Sequence, residues 1–328
     1  MLQVEGIRKV FKDRVAVDGL SFEVRRGEIF GFLGPNGAGK TTSLRMILGI
    51  TRPDAGTVRF EASPGAEPAA LDRRRIGYLP EERGLFEDQK VLDVLGYLGE
   101  LRGLSPADAR RKSAAWLERL GLADRAKAKV NELSKGMQQK IQFAGAVLHD
   151  PALAVLDEPF SGLDPLNQEL FLQIVRELRD RGTTVLLSAH QLNLVERLCD
   201  RFLLIARGRA VLTGRLDEMR REATGGATET LRLELGARET APNEASVRPI
   251  LAASGLDGAL RFERRNTTGL FVEISLPSST DLGPALAALG RSFAVLRVET
   301  TPISLHEIYL RAVRSTLGEQ AIEEEFRD

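Results

Sequence analysis

The chain has 328 residues, room for one large or two ordinary domains with a substantial buried core. Its 46 basic and 46 acidic residues cancel, which argues against a general nucleic-acid-binding surface, and its one cysteine, Cys199, excludes an internal disulfide and reads as a helix core residue in a reducing compartment. No window holds about 18 uninterrupted apolar residues and the N-terminus has no apolar run of signal-peptide length, so no direct membrane insertion is expected.

Residues 2–7, 15–18 and 20–24 alternate in the manner of strands and predict a small antiparallel sheet, with a turn at 26–28. Phe11 is exposed by pattern beside Lys12 and Asp13. An adenine could stack on its ring, a contact worth on the order of 1 to 3 kcal/mol, although a lone phenylalanine is more often a core residue.

The apolar run 29–33 then leads through Gly34-Pro35-Asn36-Gly37-Ala38-Gly39-Lys40-Thr41-Thr42 into an amphipathic run, 43–48. Strand, turn and helix in that order, with every position of GxxxxGK[ST] filled, predict a phosphate-binding loop. Glycines 34, 37 and 39 let the backbone curl so that successive NH groups point inward, and the following helix adds its positive N-terminal end. Lys40 is expected on the β and γ phosphates, the Thr41 hydroxyl on Mg2+, and Thr42 in support.

Strands are predicted at 57–60 and 75–80, separated by an exposed connection over 62–70 rich in Pro, Gly and Ala. Glu81 follows Pro80 directly. From 91 to 128 apolar residues recur at three and four, with Ser105 and Pro106 marking a helix start. This gives a helical insert, about 86–145, in an otherwise α/β chain. Ser134 stands where an N-cap belongs for the next helix, and a plain cap is one reading of it. The apolar strand 152–156 ends in Asp157-Glu158, at the sheet end where α/β proteins place ligands. Asp157 is expected to hold the magnesium shell, directly or through water. Glu158 is expected to orient or deprotonate the water that attacks the γ phosphate. A turn at 161–165 opens helix 168–179. Strand 183–190 carries His190 at its tip as a γ-phosphate contact, although an isolated histidine is more often structural. Strands 202–206 and 209–212 close the unit.

These motifs add up to a family. Over residues 2 to about 221 the chain resembles the ATP-binding cassette subunits of ABC transporters: GPNGAGKT is the phosphate loop, LAVLDE the acidic strand, SGLD resembles the D-loop, LSAHQ the switch-histidine segment, and LSKGMQQK the signature LSGGQ. The resemblance implies a head-to-tail homodimer with ATP held between one subunit's loop and the other's signature. Ser134 and the Gly136 NH then meet the γ phosphate across the interface, and Lys135 and Asp164 of the D-loop are counted among the nucleotide contacts. Two departures stand out. Glu81 replaces the usual glutamine, as in a subgroup of exporter ATPases sharing YLPEERGL, and is counted with Thr41 and Asp157 as a metal candidate. Lys135 and Met137 replace the signature Gly and Gln.

Outside the cassette, expected to end at 223, a linker at 224–228 leads to strand 229–235, helix 244–254, strand 258–264, strand 269–275, helix 280–289 and strand 293–299. The order βαββαβ predicts a small α+β ferredoxin-like domain over 229–316, closed by a helix over 304–315, with an acidic tail at 317–328. Similar extensions occur in bacterial sodium-efflux and drug-efflux ATPases. The expectation is a P-loop NTPase of α/β class that binds ATP and Mg2+ and hydrolyses ATP with Glu158, His190 and Lys40. It is expected to be cytoplasmic, peripheral on the inner membrane face through separate permease subunits of an exporter, without nucleic acid. A soluble ATP-driven switch on nucleic acid or ribosomes is the alternative; intact Lys40, Asp157, Glu158 and His190 speak against a third reading, a non-hydrolysing subunit.

Overall fold

A computed structural model describes residues 1–12, 14–61, 72–82, 84–256, 260–264 and 269–318. Asp13, the connection 62–70, the first residues of the strand expected at 258 and the acidic tail beyond Gly318 lie outside the described residues. Two compact units follow one another, Met1–Gly214 and Arg215–Asp328.

The first unit opens with β1 (Leu2–Phe11) and β2 (Arg14–Val24), antiparallel, so the alternation in this stretch runs longer than its apolar pattern alone indicates. Then come β3 (Ile29–Leu33), α1 (Lys40–Ile47) and β4 (Ala55–Phe60); β4 joins the other edge of β1, giving a three-stranded sheet β2-β1-β4. β5 (Ile76–Leu79) is followed by the helical insert: α2 (Val91–Leu101), α3 (Pro106–Arg119) and α4 (Lys135–Val147). Ser105 caps α3, its hydroxyl accepting from the Asp108 NH at 3.1 Å, and Pro106 occupies the first turn, where no NH is needed.

β6 (Leu153–Asp157), α5 (Pro165–Asp180), β7 (Thr184–Ala189), α6 (Leu192–Glu196), β8 (Arg201–Ala206) and β9 (Arg209–Gly214) complete the unit. β3, β5, β6 and β7 are buried at almost every position because helices or the small sheet cover both faces of the six-stranded sheet β5-β6-β7-β3-β8-β9, parallel except for β9. On one face, Phe30, Phe32, Val155, Leu186 and Leu203 pack with Leu44 and Ile47 of α1 and with Leu2, Val4 and Leu20 of the small sheet. Elsewhere Trp116 of α3, Phe143 of α4 and Phe171 of α5 form a run of rings, Phe143 and Phe171 with centroids 4.4 Å apart, which fastens the helical insert to α5. Cys199 corrects its expected place: it follows α6 in a turn, and its sulfur lies 3.2 Å from where a Cβ on Gly31 would stand. Burial pushes its thiol well above the usual range.

The second unit begins with α7 (Leu216–Thr224), which packs on α10 (Leu305–Leu317) rather than closing the cassette; the boundary therefore falls at Gly214, not after 223, and Thr224 is the last helical residue rather than linker. Between these helices run β10 (Glu229–Gly236), α8 (Glu244–Ala253), β11 (Leu260–Arg264), β12 (Gly269–Leu276), α9 (Gly283–Ser292) and β13 (Ala294–Pro302). The sheet order β11-β12-β10-β13, antiparallel throughout, is the doubled split-βαβ arrangement of a ferredoxin-like unit. Leu231, Leu233, Val272 and Ile274 on one sheet face pack against Val247 and Leu251 of α8 and Leu289 of α9.

Candidate functional site

The phosphate loop lies between the C-terminal end of β3 and the start of α1. Its path is set by contacts that exclude side chains: a Cβ at Gly34 would sit 2.4 Å from the Ile205 carbonyl oxygen, and one at Gly39 2.4 Å from that of Ala16. Gly39 also has φ of 100°, the left-handed region that favours glycine, and it starts the helix. Gly208, in the turn between β8 and β9, accepts from Asp18 at 2.9 Å and donates to Ala38 at 2.9 Å, so the small sheet and the loop share one anchor.

Lys40 is 7% exposed. Its ammonium donates to the carbonyls of Gly34 at 2.7 Å and Pro35 at 3.1 Å, and lies 3.7 Å from Oε1 of Glu158. Burial lowers its pKa, and the charges of Glu158, Asp157 and Glu81 oppose that shift.

A cavity of about 390 Å³ opens beside the loop, lined by Phe11, Arg14, Ala16, Pro35, Asn36, Gly37, Gly39, Lys40, Thr41, Thr42 and Glu81. Phe11, half exposed, carries the Lys9 ammonium 5.5 Å from its ring centroid. The cavity thus offers an aromatic face at one place and backbone NH groups, an ammonium and hydroxyls at another, a combination suited to a base joined to phosphates.

At the end of β6, Asp157 is fully buried and accepts from the Ser188 hydroxyl through Oδ1, while Oδ2 has no hydrogen-bond partner. Glu158 has φ of 51°, a strained value for this residue type, and its NH donates to the Ser188 carbonyl and hydroxyl oxygens at 3.2 and 3.1 Å. That turn sends the two acids different ways. Oε2 of Glu158 meets Nδ1 of His190 at 2.8 Å and Oε1 faces Lys40. Gln142 of α4 donates to the carbonyls of Pro80 and Glu82 at 3.1 and 3.0 Å and so holds Glu81 at the cavity rim.

One buried carboxylate oxygen without a partner, the Thr41 hydroxyl and the Glu81 carboxylate are hard oxygen donors of the kind Mg2+ takes. Among the described residues no three His, Cys, Asp or Glu side chains gather into a metal-holding group. An ion here fits only if phosphate oxygens and water complete its shell, which is how Mg2+ usually binds beside nucleotides.

Of the candidates, Gly34, Ala38, Asp157, Glu158 and His190 do not line this cavity but belong to the loop or to the group of charges that meets Lys40, His190 through Glu158, whereas Ser134, Lys135, Gly136 and Asp164 belong to neither. Ser134 is the exposed N-cap of α4, accepting from the Met137 NH at 3.3 Å, and Lys135 is exposed beside it. Gly136 lies near Gly162, whose carbonyl would be 3.5 Å from a Cβ added there. Asp164 is exposed and caps α5, accepting from the Asn167 NH at 2.9 Å, a bond that holds its carboxyl below the usual range. Sequence reasoning missed Arg14 and Ala16 as lining residues, Ser188 as the group that fixes both acids, and Gln142. Ser188 alone left a signal, a hydroxyl in an otherwise apolar strand end.

Residues 17–161, from β2 through the acidic strand, match the family model described as ABC transporter. An ABC transporter ATP-binding protein of Methanocaldococcus jannaschii is 45% identical over 221 residues, 67% of this chain and 80% of its own length. The chain belongs to the ABC transporter ATP-binding proteins. It is an ABC-type ATP hydrolase and the ATP-binding subunit of a transporter. Nod factor export ATP-binding protein I of Cupriavidus metallidurans is 35% identical over 311 residues, covering 95% of this ABC ATPase and 96% of that protein, so the likeness extends through the second unit. A solved ATP-binding subunit of an ABC transporter superposes with a TM-score of 0.61 at 33% identity, over 68% of this chain and 92% of that one. No described helix is long and apolar enough to cross a membrane.

Proposed function

We propose that this ABC ATPase powers an exporter, with two copies clamping ATP between them and separate permease chains carrying the transported compound. The observation that supports the catalytic part most directly is the line His190, Glu158, Lys40, which ends on the lysine that lines the loop cavity. In this reading Glu158 takes a proton from a water molecule as that water attacks the γ phosphorus. The bond to the ADP oxygen breaks, and ADP leaves with the bonding electrons. His190 holds the carboxylate by its second oxygen and keeps the first toward the reacting water. Lys40 offsets charge on the β and γ phosphates, and Phe11 supports the base by stacking. Mg2+, when bound, neutralises phosphate charge; Thr41, Asp157 and Glu81 are the residues to hold it.

Ser134 and Gly136 stand apart from the chain's own cavity, exposed or half-buried, at a helix start with no acid in its first turn. A helix N-terminus attracts anions. A γ phosphate brought by a second copy fits that end, so each closed dimer holds two composite sites. Export rather than import draws on the Nod factor export relative, which matches nearly end to end. The place of action is then the inner membrane face, through the permease.

The test is purification of the tagged chain from detergent-solubilised membranes, followed by ATPase assays with and without the co-purifying material. Recovery of a polytopic membrane protein that stimulates ATP turnover is expected. Stimulation by RNA or ribosomes alone, with no membrane protein recovered, contradicts the reading.

A further inference from the structure

The sheet of the second unit ends on β13, and among the described residues no strand pairs with its outer edge. Leu296 and Val298 on that edge are 63% and 42% exposed. Unpaired edges of this length and character are templates for another strand unless they are blocked. Charges alternate across one sheet face up to the edge. Glu273 of β12 stands opposite Arg232 of β10, their groups 3.5 Å apart, and Arg232 stands opposite Glu299 of β13. In the next row Glu234 of β10 stands opposite Arg297 of β13. The rows therefore end on one acid and one base, two positions apart on the same strand, whose charged groups are 2.8 Å from each other at the surface.

We propose that β13 pairs antiparallel with β13 of a second copy about a two-fold axis at Val298, joining the two sheets into one. The charges select this register. With the axis at Val298, Arg297 of each copy faces Glu299 of the other, and the row reads Glu273, Arg232, Glu299, then Arg297 and Glu234 of the second copy. Moving the axis by one residue sets Arg297 against Arg297 or Glu299 against Glu299, and like charges directly opposite are unfavourable. Either hydrogen-bonding phase of an antiparallel ladder accepts an axis through a residue pair. The register shift between Leu235 and Glu234, opposite Val295 and Arg297, limits regular pairing to residues 296–300. Within it Val298 meets its own copy and Leu296 meets Thr300, which covers both exposed apolar side chains. The contact is isologous, so a second copy supplies the matching charges at both positions.

This pairing needs no nucleotide and is independent of the clamp proposed above, so it is tested on the nucleotide-free full-length chain by sedimentation velocity across a concentration series. The parent is expected to form a reversible dimer. Arg297→Glu and Glu299→Arg are each expected to sediment as monomers, because each places like charges opposite twice across the two-fold axis. An equimolar mixture of these two variants is expected to dimerise, as is the double variant Arg297→Glu/Glu299→Arg. ATP turnover and circular dichroism report that each variant is folded. The proposal is overturned if the parent stays monomeric, if either folded single variant dimerises as the parent does, or if the mixture and the double variant remain monomeric.

Discussion

Nδ1 of His190 lies 2.8 Å from Oε2 of Glu158, while Oε1 of the same carboxylate lies 3.7 Å from the Lys40 ammonium. One carboxyl group thereby links His190 to the loop lysine. Glu158→Gln is expected to keep ATP binding while single-turnover cleavage slows by on the order of 3 kcal/mol, the usual cost of losing one group that acts in the transition state. His190→Ala is expected to slow cleavage in the parent yet add little in the Glu158→Gln background, because both changes act on the same carboxylate. Parent-like cleavage by Glu158→Gln, or additive losses, count against this link.

Ser134 does two jobs in this account, and a single substitution separates them. Aspartate caps a helix as well as serine, so Ser134→Asp is expected to leave thermal stability within about 0.5 kcal/mol of the parent. Its carboxylate, however, meets the γ phosphate of a second copy with like charge. Steady-state ATP turnover is expected to collapse while the melting transition holds. A variant that retains turnover places Ser134 outside the site.

Gly208 is not itself a predicted nucleotide contact but holds Ala38 of the loop; a Cβ there would stand 2.6 Å from the Ala16 carbonyl oxygen, and its φ of 76° is left-handed. Gly208→Ala is expected to push the β8–β9 turn off the phosphate loop and weaken ATP binding, read by fluorescent-nucleotide titration. Unchanged affinity removes the anchor from the argument.

The strand-turn-helix around Gly34 to Thr42 and the parallel strands were legible because their residues are locally determined. Gly34 to Thr42 fill a motif in its context, and 153–156 or 185–187 can be apolar throughout only if both sheet faces are covered. What was not legible depends on distant partners. Arg14 and Ala16 reach the cavity because β2 folds back along β1, and nothing in their local pattern shows it. The boundary was misplaced because α7 has a helical pattern whichever unit it serves; its apolar stripe finds α10, about eighty residues later in the chain. Cys199 fell outside a helix because α6 is one short turn.

His149 sits far from the nucleotide chemistry and sets a pH dependence of folding. Burial first, then the charge of Arg102, lowers its pKa from 6.5 to about 4, against a hydrogen bond with the Ile76 carbonyl at 3.2 Å. Between those values the unfolded chain binds a proton that the folded chain does not, so this group's contribution to stability falls as pH drops from 6.5 to about 4 and is constant above that window. After discounting for its partial exposure, the loss is on the order of 2 kcal/mol. His149→Gln, which can still donate to Ile76, is expected to flatten the difference between urea midpoints at the two ends of the window. An unchanged slope contradicts the assignment.

The central claim is that one copy's phosphate loop and another copy's signature helix close on the same ATP. Two chains with one introduced cysteine each, Asn36→Cys and Ser134→Cys, both in the Glu158→Gln background, are mixed with a short bis-maleimide; the native Cys199 thiol, pushed up by burial, contributes little thiolate. Crosslinked product joining the two different chains is expected with ATP and not without it. Equal crosslinking in both conditions, or none with ATP bound, contradicts the account.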